Sequence, residues 1–278
     1  MVAEHERGAS TLHPYQPRVR AVDTSAGRVR VAEVGTGQPL LLINGIGASL
    51  EMWRPLARRL SDARRLILFD VPGTGGSGRL RRPLRMPGMA QLVVELLDEL
   101  GDGEVDVLGY SWGGAVAQQL AMDAPGRVRR LVLVATSPGR GGKAPSLPVL
   151  ALMSTPLQFV SESYLTRIAP RVFGGDTFRS GTAPRAPARS FGRPPTQLGY
   201  AQQLYAISGW TSLPWLSRLA APTLVISGDD DPLVPMKNAR VLAGRIRHAR
   251  LQVIPHGGHL WLLEHADASA ALIAEFLG

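Results

Sequence analysis

Ser111 lies in Gly109-Tyr110-Ser111-Trp112-Gly113-Gly114, a Gly-x-Ser-x-Gly box. Downstream the chain supplies a run of carboxylates, Asp229-Asp230-Asp231, and then two imidazoles in His256-Gly257-Gly258-His259. A hydroxyl followed in chain order by an acid and a histidine suits nucleophilic catalysis: the imidazole takes the serine proton and the carboxylate orients the imidazole. The box alone is a weak signal in a chain with 31 glycines. Its surroundings strengthen it. An apolar run ends at Leu108, and after the box small residues continue into a helix that must stop before Pro125. The serine is therefore predicted on a sharp, strained strand-to-helix turn with its hydroxyl exposed, where side chains two residues to either side would collide. The bland alternative, an N-cap serine in a Gly-rich turn, leaves the downstream acid and base unexplained.

Spacing leaves the partners open. The three aspartates follow an apolar run at 223–227, and catalytic groups of open α/β sheets gather outside the carboxyl ends of strands. At most one is the acid; the other two read as solvated turn formers. They lack the Asp-x-Asp-x-Asp-Gly spacing of a calcium loop. Either His256 or His259 could be the base. Histidines three apart also suggest a metal, but no third ligand is indicated. With no cysteine there is no thiolate site, disulfide or cysteine nucleophile. The loop Asp70-Val71-Pro72-Gly73-Thr74-Gly75-Gly76-Ser77 has no Lys-Ser/Thr after it, so it reads as a structural turn rather than a phosphate cradle.

The elements that must hold these residues follow from apolar patterning. Strand candidates fall at 19–23, 28–33, 39–43, 65–69, the run ending at 108, 130–135, 223–227 and 251–254, and helical periodicity at about 50–60, 89–100 and 266–277. Continuous apolar strands alternating with helices mean an α/β fold with a mostly parallel sheet covered on both faces. The stretch 139–216 breaks this rhythm, with helix-like pieces at 147–153, 164–168 and 198–207 around a Pro/Arg/Gly-rich section at 174–195. It reads as a mainly helical cap inserted over the site, splitting a core of 18–138 and 217–278. Residues 1–17 read as a loose arm, and 183–195 as a poorly ordered part of the cap.

Composition narrows the function classes. The net charge is +9 and only Lys143 and Lys237 are lysines, so the basic residues are almost all arginines. They are scattered in ones and twos without a basic helix or an aromatic-rich RNA motif, which points to solvated side chains and no nucleic-acid partner. No apolar stretch approaches the ~18 residues of a membrane span. The first eight residues lack the apolar core of a signal peptide; with the absence of cysteine, this sets the expectation of a cytoplasmic protein.

Three segments, Gly-Tyr-Ser-Trp-Gly-Gly (109–114), Gly-Asp-Asp-Asp-Pro-Leu-Val-Pro (228–235) and Gly-Gly-His-Leu (257–260), resemble the catalytic segments of the α/β-hydrolase fold family. The resemblance implies that the acid is the aspartate before the proline, Asp231 rather than Asp229. It implies that the base is the histidine of the Gly-His pair, His259 rather than His256. A serine hydrolase of this kind holds its oxyanion on backbone N–H groups, here those of Trp112 and Ile46, and needs neither cofactor nor metal. A closer resemblance runs from about residue 30 to the C-terminus. Leu-Leu-Ile-Asn-Gly-Ile-Gly-Ala-Ser-Leu-Glu-Met-Trp (41–53), Phe-Asp-Val-Pro-Gly-Thr-Gly-Gly-Ser (69–77), Gly209-Trp210-Thr211-Ser212 and Pro214-Trp215-Leu216 are similar to intracellular medium-chain-length poly(3-hydroxyalkanoate) depolymerases. Asn44 departs from the His-Gly common in the wider family and fits this subgroup.

This second resemblance implies a cytoplasmic carboxylic ester hydrolase whose partner is a polyester granule or another hydrophobic ester. The same triad would also serve a small-molecule carboxylesterase, a C–C bond hydrolase or a cofactor-free perhydrolase. A non-catalytic acyl-ligand or granule-binding protein is the alternative from another class. Leu147, Leu150, Leu152, Met153, Phe159, Tyr164, Leu165, Trp210 and Trp215 are candidates for an apolar entrance, set against the simpler reading that they form the cap's own core.

Overall fold

The computed structural model describes residues 16–180 and 192–278. The expectations placed on 1–15 and 183–191 lie outside the described residues. Eight strands form one sheet: β1 (Arg18–Thr24), β2 (Gly27–Val34), β3 (Pro39–Ile43), β4 (Arg65–Phe69), β5 (Val105–Tyr110), β6 (Val128–Val134), β7 (Thr223–Gly228) and β8 (Ala249–Ile254). Their order is β1-β2-β4-β3-β5-β6-β7-β8. Only the β1–β2 and β2–β4 pairs are antiparallel; the others are parallel.

The helices are α1 (Arg54–Leu60), α2 (Met86–Leu100), α3 (Trp112–Asp123), α4 (Leu147–Met153), α5 (Leu157–Val160), α6 (Glu162–Val172), α7 (Asp176–Arg179), α8 (Gln197–Ile207), α9 (Lys237–Arg245), α10 (Trp261–Glu264) and α11 (Ala266–Leu277). They cover both faces of the sheet, which is why β3 reads as an unbroken apolar run and β4 as one from Leu66 onward. Side chains of β3 alternate between two cores. Leu41 and Ile43 join Val107, Leu131 and Leu120 on the side of α2 and α3. Leu40 and Leu42 join Leu56, Leu108 and Ile273 on the side of α1 and α11.

Strands β5, β6, β7 and β8 lie side by side in chain order. The carboxyl ends of β5, β7 and β8 consequently bring residue 111, residues 229–231 and residues 256–259 to one edge of the sheet. Helices α4 to α8 occupy the long connection between β6 and β7. Helix α6 extends past the predicted 164–168 and through Pro170, burying Leu165, Ile168, Ala169 and Val172. The segment 209–216 does not overhang the site. Gly139 bridges Thr211, Trp210 Nε1 donates to Gln119 Oε1 (2.7 Å) and Ser212 Oγ donates to Gln118 Oε1 (2.7 Å), so the segment is bonded to α3. Trp210 and Trp215 pack edge to face at 6.1 Å against the core on that side, which removes both from the candidate entrance. Leu165 is likewise core, whereas Leu147 is 81% exposed.

Candidate active site

Strand β5 ends at Tyr110 and α3 begins at Trp112, leaving one residue for the turn. Ser111 takes φ 54° and ψ −116°, a region that a residue with a side chain enters only when its surroundings force it. The surroundings do so. Its N–H donates to the Val134 carbonyl (2.8 Å), and its carbonyl accepts from Gly114 N–H (2.9 Å) and the Thr136 hydroxyl (2.7 Å). Gly113 lets α3 start this close to the sheet: a Cβ there would overlap the Ile43 carbonyl oxygen and lie 2.5 Å from that of Asn44.

The structure brings Ser111, His259 and Asp231 into one chain of hydrogen bonds. His259 Nε2 is 3.1 Å from Ser111 Oγ, and His259 Nδ1 is 2.7 Å from Asp231 Oδ2. Asp231 Oδ1 accepts the N–H groups of Leu233 (2.9 Å) and Val234 (2.8 Å), so the turn after β7 aims the carboxylate. Both His259 and Asp231 are buried. The imidazole stacks on Phe173 at 6.2 Å, and its backbone is held twice: His259 N–H donates to the Phe173 carbonyl (2.7 Å), and the Tyr110 hydroxyl donates to the His259 carbonyl (2.9 Å). Burial, with the nearby charges of Asp231 and Glu264, pushes the Tyr110 phenol well above its usual range, so it remains a neutral donor.

Asp229 and His256 stand outside this chain, and neither Asp229 nor Asp230 is a merely solvated turn former. Asp229 Oδ1 accepts His256 N–H (2.7 Å), closing the loop that carries His259. Asp230 Oδ2 accepts Gly175 N–H (2.6 Å) from the α6–α7 turn and pairs with Arg179 (2.9 Å). Backbone donors brought in from other elements recruit both carboxylates. The two backbones meet closely here: a Cβ on Gly258 would lie 2.5 Å from the carbonyl oxygens of Phe173 and Gly174.

The loop after β3 forms the other wall. Asn44 is fully buried; it donates to the carbonyls of Phe69 (2.9 Å) and Ala48 (3.3 Å) and accepts from Trp53 Nε1 (2.5 Å). Gln203 on α8 braces the same loop, its Oε1 accepting Gly47 N–H (2.8 Å) and its backbone carbonyl accepting Trp112 Nε1 (3.0 Å). Sequence reasoning missed Gln203; the one available signal was a pair of glutamines, Gln202 and Gln203, on a helix face that is buried. Among the described residues, no protein acceptor takes the N–H of Ile46 or of Trp112. The turn at 70–77 closes on its own acid. Asp70 accepts the N–H groups of Leu50 and Gly76 (2.7 Å each) and pairs with Arg30 (3.2 Å), while burial holds its pKa above the usual carboxylate value.

Two cavities meet at Ser111 and share Ile46, Met153 and Leu233. One, of about 30 Å³, is bounded by Tyr110, Gln158, Phe159, Phe173 and His259. The other, of about 220 Å³, is more open and bounded by Leu150, Tyr200, Leu204, Ile207 and Val234. Apolar walls around one polar cluster suit an ester with hydrocarbon arms. Among the described residues no group of three His, Cys, Asp or Glu could hold a metal ion, and no helix is long and apolar enough to cross a membrane.

Known proteins share this arrangement of elements. The family model for the alpha/beta hydrolase fold matches residues 38–266. The chain is 47% identical over 240 residues to a poly(3-hydroxyalkanoate) depolymerase of Ectopseudomonas oleovorans, covering 86% of this chain and 84% of that one. A crystal structure of a hydrolase from Pseudomonas aeruginosa PA01 superposes with a TM-score of 0.79 at 26% identity, covering 94% of this chain and 98% of the other. A meta-cleavage product hydrolase from Pseudomonas fluorescens IP01 shares the fold, with a TM-score of 0.78 at 23% identity over 93% of this chain and 97% of the other. With its serine on the turn after β5, its parallel sheet and these relatives, the chain belongs to the alpha/beta hydrolase fold family.

Proposed function

We propose that this hydrolase cleaves the ester bonds of a medium-chain poly(3-hydroxyalkanoate), or of its oligomers, through an acyl-enzyme on Ser111. The observation that carries the reading is the hydrogen-bonded chain Ser111–His259–Asp231 opening into apolar cavities. The substrate class rests on the 47% identity to the depolymerase. In this reading Ser111 Oγ attacks the ester carbonyl while His259 Nε2 takes its proton, and Asp231 holds the imidazole and stabilises its charged form. The N–H groups of Ile46 and Trp112 receive the oxyanion. The ester C–O bond then breaks, His259 returns the proton to the departing alkoxide, and the shortened chain leaves as an alcohol. Water, deprotonated by His259, releases the acid from Ser111.

Chain-length preference follows from the larger cavity. Each methylene buried there contributes about 0.8 kcal/mol, so an arm four methylenes longer than a methyl gains about 3 kcal/mol, or roughly a hundredfold. The reading includes a core at 18–138 and 217–278, with residues 139–216 as an insertion whose part before residue 209 is the cap. It also includes a cytoplasmic enzyme working at a granule surface. Among the described residues nearly all the large exposed apolar side chains, including Leu147, Leu157, Val160 and Leu198, lie within that cap. Such a concentration suits contact with a hydrophobic surface.

The test uses suspensions of medium-chain polyester and of poly(3-hydroxybutyrate), with a fluorophosphonate probe for the serine. The wild type is expected to clear the medium-chain polymer faster and to label, while Ser111→Ala does neither. Wild-type activity in Ser111→Ala removes the serine mechanism. Equal rates on the two polymers leave only a general carboxylic ester hydrolase.

A further inference from the structure

We propose that the side-chain carbonyl of Gln158 is a subsite for the terminal 3-hydroxyl of a polyester chain, so that the enzyme takes units preferentially from the hydroxyl end. The inference rests on the ester-hydrolase reading above and adds the part of the polymer on which it acts.

Gln158, on α5, is 1% exposed and lines the small cavity together with Ser111 and His259. Its Nε2 donates to the Tyr200 hydroxyl at 3.3 Å, and that hydroxyl gives its own proton to the Met153 carbonyl at 2.6 Å. The Tyr200 oxygen therefore has only lone pairs to offer Gln158, which fixes the amide with nitrogen toward Tyr200 and oxygen away from it. The oxygen then has no partner: Gln158 Oε1 is shut off from solvent and receives no hydrogen bond. Buried acceptors are almost always paired, and this one, on a residue that shares the nucleophile's cavity, gains its donor when the hydroxyl of a ligand enters and the amide shifts to meet it. Of the unpartnered buried atoms among the described residues, it is the one whose residue shares a cavity with Ser111.

The chemistry of the polymer identifies the donor. Its ester oxygens accept and cannot donate, its alkyl arms do neither, and a terminal carboxyl is ionised at neutral pH. The free hydroxyl at one chain end is the remaining donor. It sits on the third carbon of the first unit, two bonds beyond the carbonyl that Ser111 attacks. That carbon also bears the alkyl arm, and the two cavities match the two groups. About 30 Å³ holds a hydroxyl-sized group but no alkyl arm, and about 220 Å³ holds the arm. Attack at this carbonyl forms the Ser111 ester of a 3-hydroxy acid and breaks the first inter-unit C–O bond. His259 passes the serine proton to the departing oxygen. The released chain thereby acquires a new hydroxyl end, fit for the next cycle. An interior unit would instead set an ester oxygen against Gln158 Oε1, lone pair to lone pair.

The experiment compares kcat/KM for p-nitrophenyl esters of 3-hydroxyoctanoate, octanoate and 3-methoxyoctanoate. In the wild type the hydroxy ester should exceed the unsubstituted one by about tenfold or more, with the methoxy ester slowest. In Gln158→Met, similar in shape but without the acceptor, the hydroxy and unsubstituted esters should fall within about twofold; near-UV circular dichroism checks that the variant is folded. Oligo(3-hydroxyoctanoate) with acetylated hydroxyl ends should release monomer far more slowly than the free-ended oligomer. Wild-type rates that ignore the 3-substituent, or a preference that survives in Gln158→Met, overturn the subsite and leave the serine esterase standing. Failure to hydrolyse any of the esters, with Ser111 silent to the fluorophosphonate, takes down both.

Discussion

Replacing Gln203 by methionine tests whether α8 holds the loop after β3, which we propose carries an oxyanion donor, in its working shape. The substitution keeps the length of the side chain and removes the oxygen that accepts Gly47 N–H at 2.8 Å. The bond from Trp112 Nε1 to the Gln203 backbone carbonyl survives any side-chain change. A buried N–H left without an acceptor costs about 1–3 kcal/mol. In a domain of this size that lowers Tm by roughly 2–4 °C per kcal/mol. The kinetic effect is separate. Outright removal of an oxyanion donor lowers kcat by about 10²–10³. Here the Ile46 N–H remains and the three hydrogen bonds of Asn44 still hold the loop from its other side, so a smaller loss of about 5–30-fold in kcat is expected. KM should change little, because the donor acts on charge that develops after binding. Gln203→Glu, which retains an acceptor, should recover most of kcat. Steady-state kinetics on p-nitrophenyl octanoate, measured well below Tm, reads these values. A lower Tm with kcat untouched would make Gln203 a packing residue and refute the argument, as would a rise in KM alone.

Further outcomes follow from the same geometry. Asp231→Asn should reduce kcat by about 10⁴ by fixing the wrong imidazole tautomer, whereas Asp229→Asn, which still offers an oxygen to His256 N–H, should lose less than about tenfold; the reverse ranking would move the acid to Asp229. Gly113→Ala should leave the protein insoluble or lower Tm by well over 10 °C, since its Cβ would drive into two backbone carbonyls at the end of β3; an ordinary melt would refute the packing. Burial raises the carboxyl of Glu264 above its ordinary 4.5, and its Oε1 has no partner. The folded state therefore holds that proton more tightly than the unfolded chain, and stability present in acid is lost as pH rises through the folded-state pKa. Glu264→Gln escapes this loss, so its Tm advantage over the wild type should be largest near pH 8 and shrink toward pH 4. A variant less stable than the wild type at pH 8 would contradict that account.

The strands expected at 39–43 and 65–69 match those of the sheet residue for residue, because inner strands covered on both faces are apolar nearly end to end, Arg65 at the start of β4 being the exception. The serine turn was legible too, since its glycines and small residues are local requirements. Helix α9 was not: only Asn238, Ala239 and Leu242 of its residues are buried, too few to print a helical stripe. Chain order pointed to an acid and a histidine, but the bare spacing could not separate His256 from His259. What separates them in space is the bond from His256 N–H to the Asp229 carboxylate and the grip of Phe173 on His259, both made between residues far apart in the chain. The contacts of Gln203 and Asp230 were hidden for the same reason. Each depends on a partner that only the folded chain supplies.

The connection between β6 and β7 invites description as an interchangeable lid, yet it grips both working loops. Its α6–α7 turn holds the histidine loop through Phe173 and Asp176 and donates the Gly175 N–H to Asp230, while α8 holds the loop after β3 through Gln203. An engineer who exchanged this segment for that of a relative, hoping to transplant substrate preference alone, would also be exchanging the supports of His259 and of the Ile46 loop. Preference and turnover are thus inherited together in this chain. A graft that respects the architecture would keep residues 172–176 and 203 and vary the cavity-lining positions Leu150, Leu204 and Ile207.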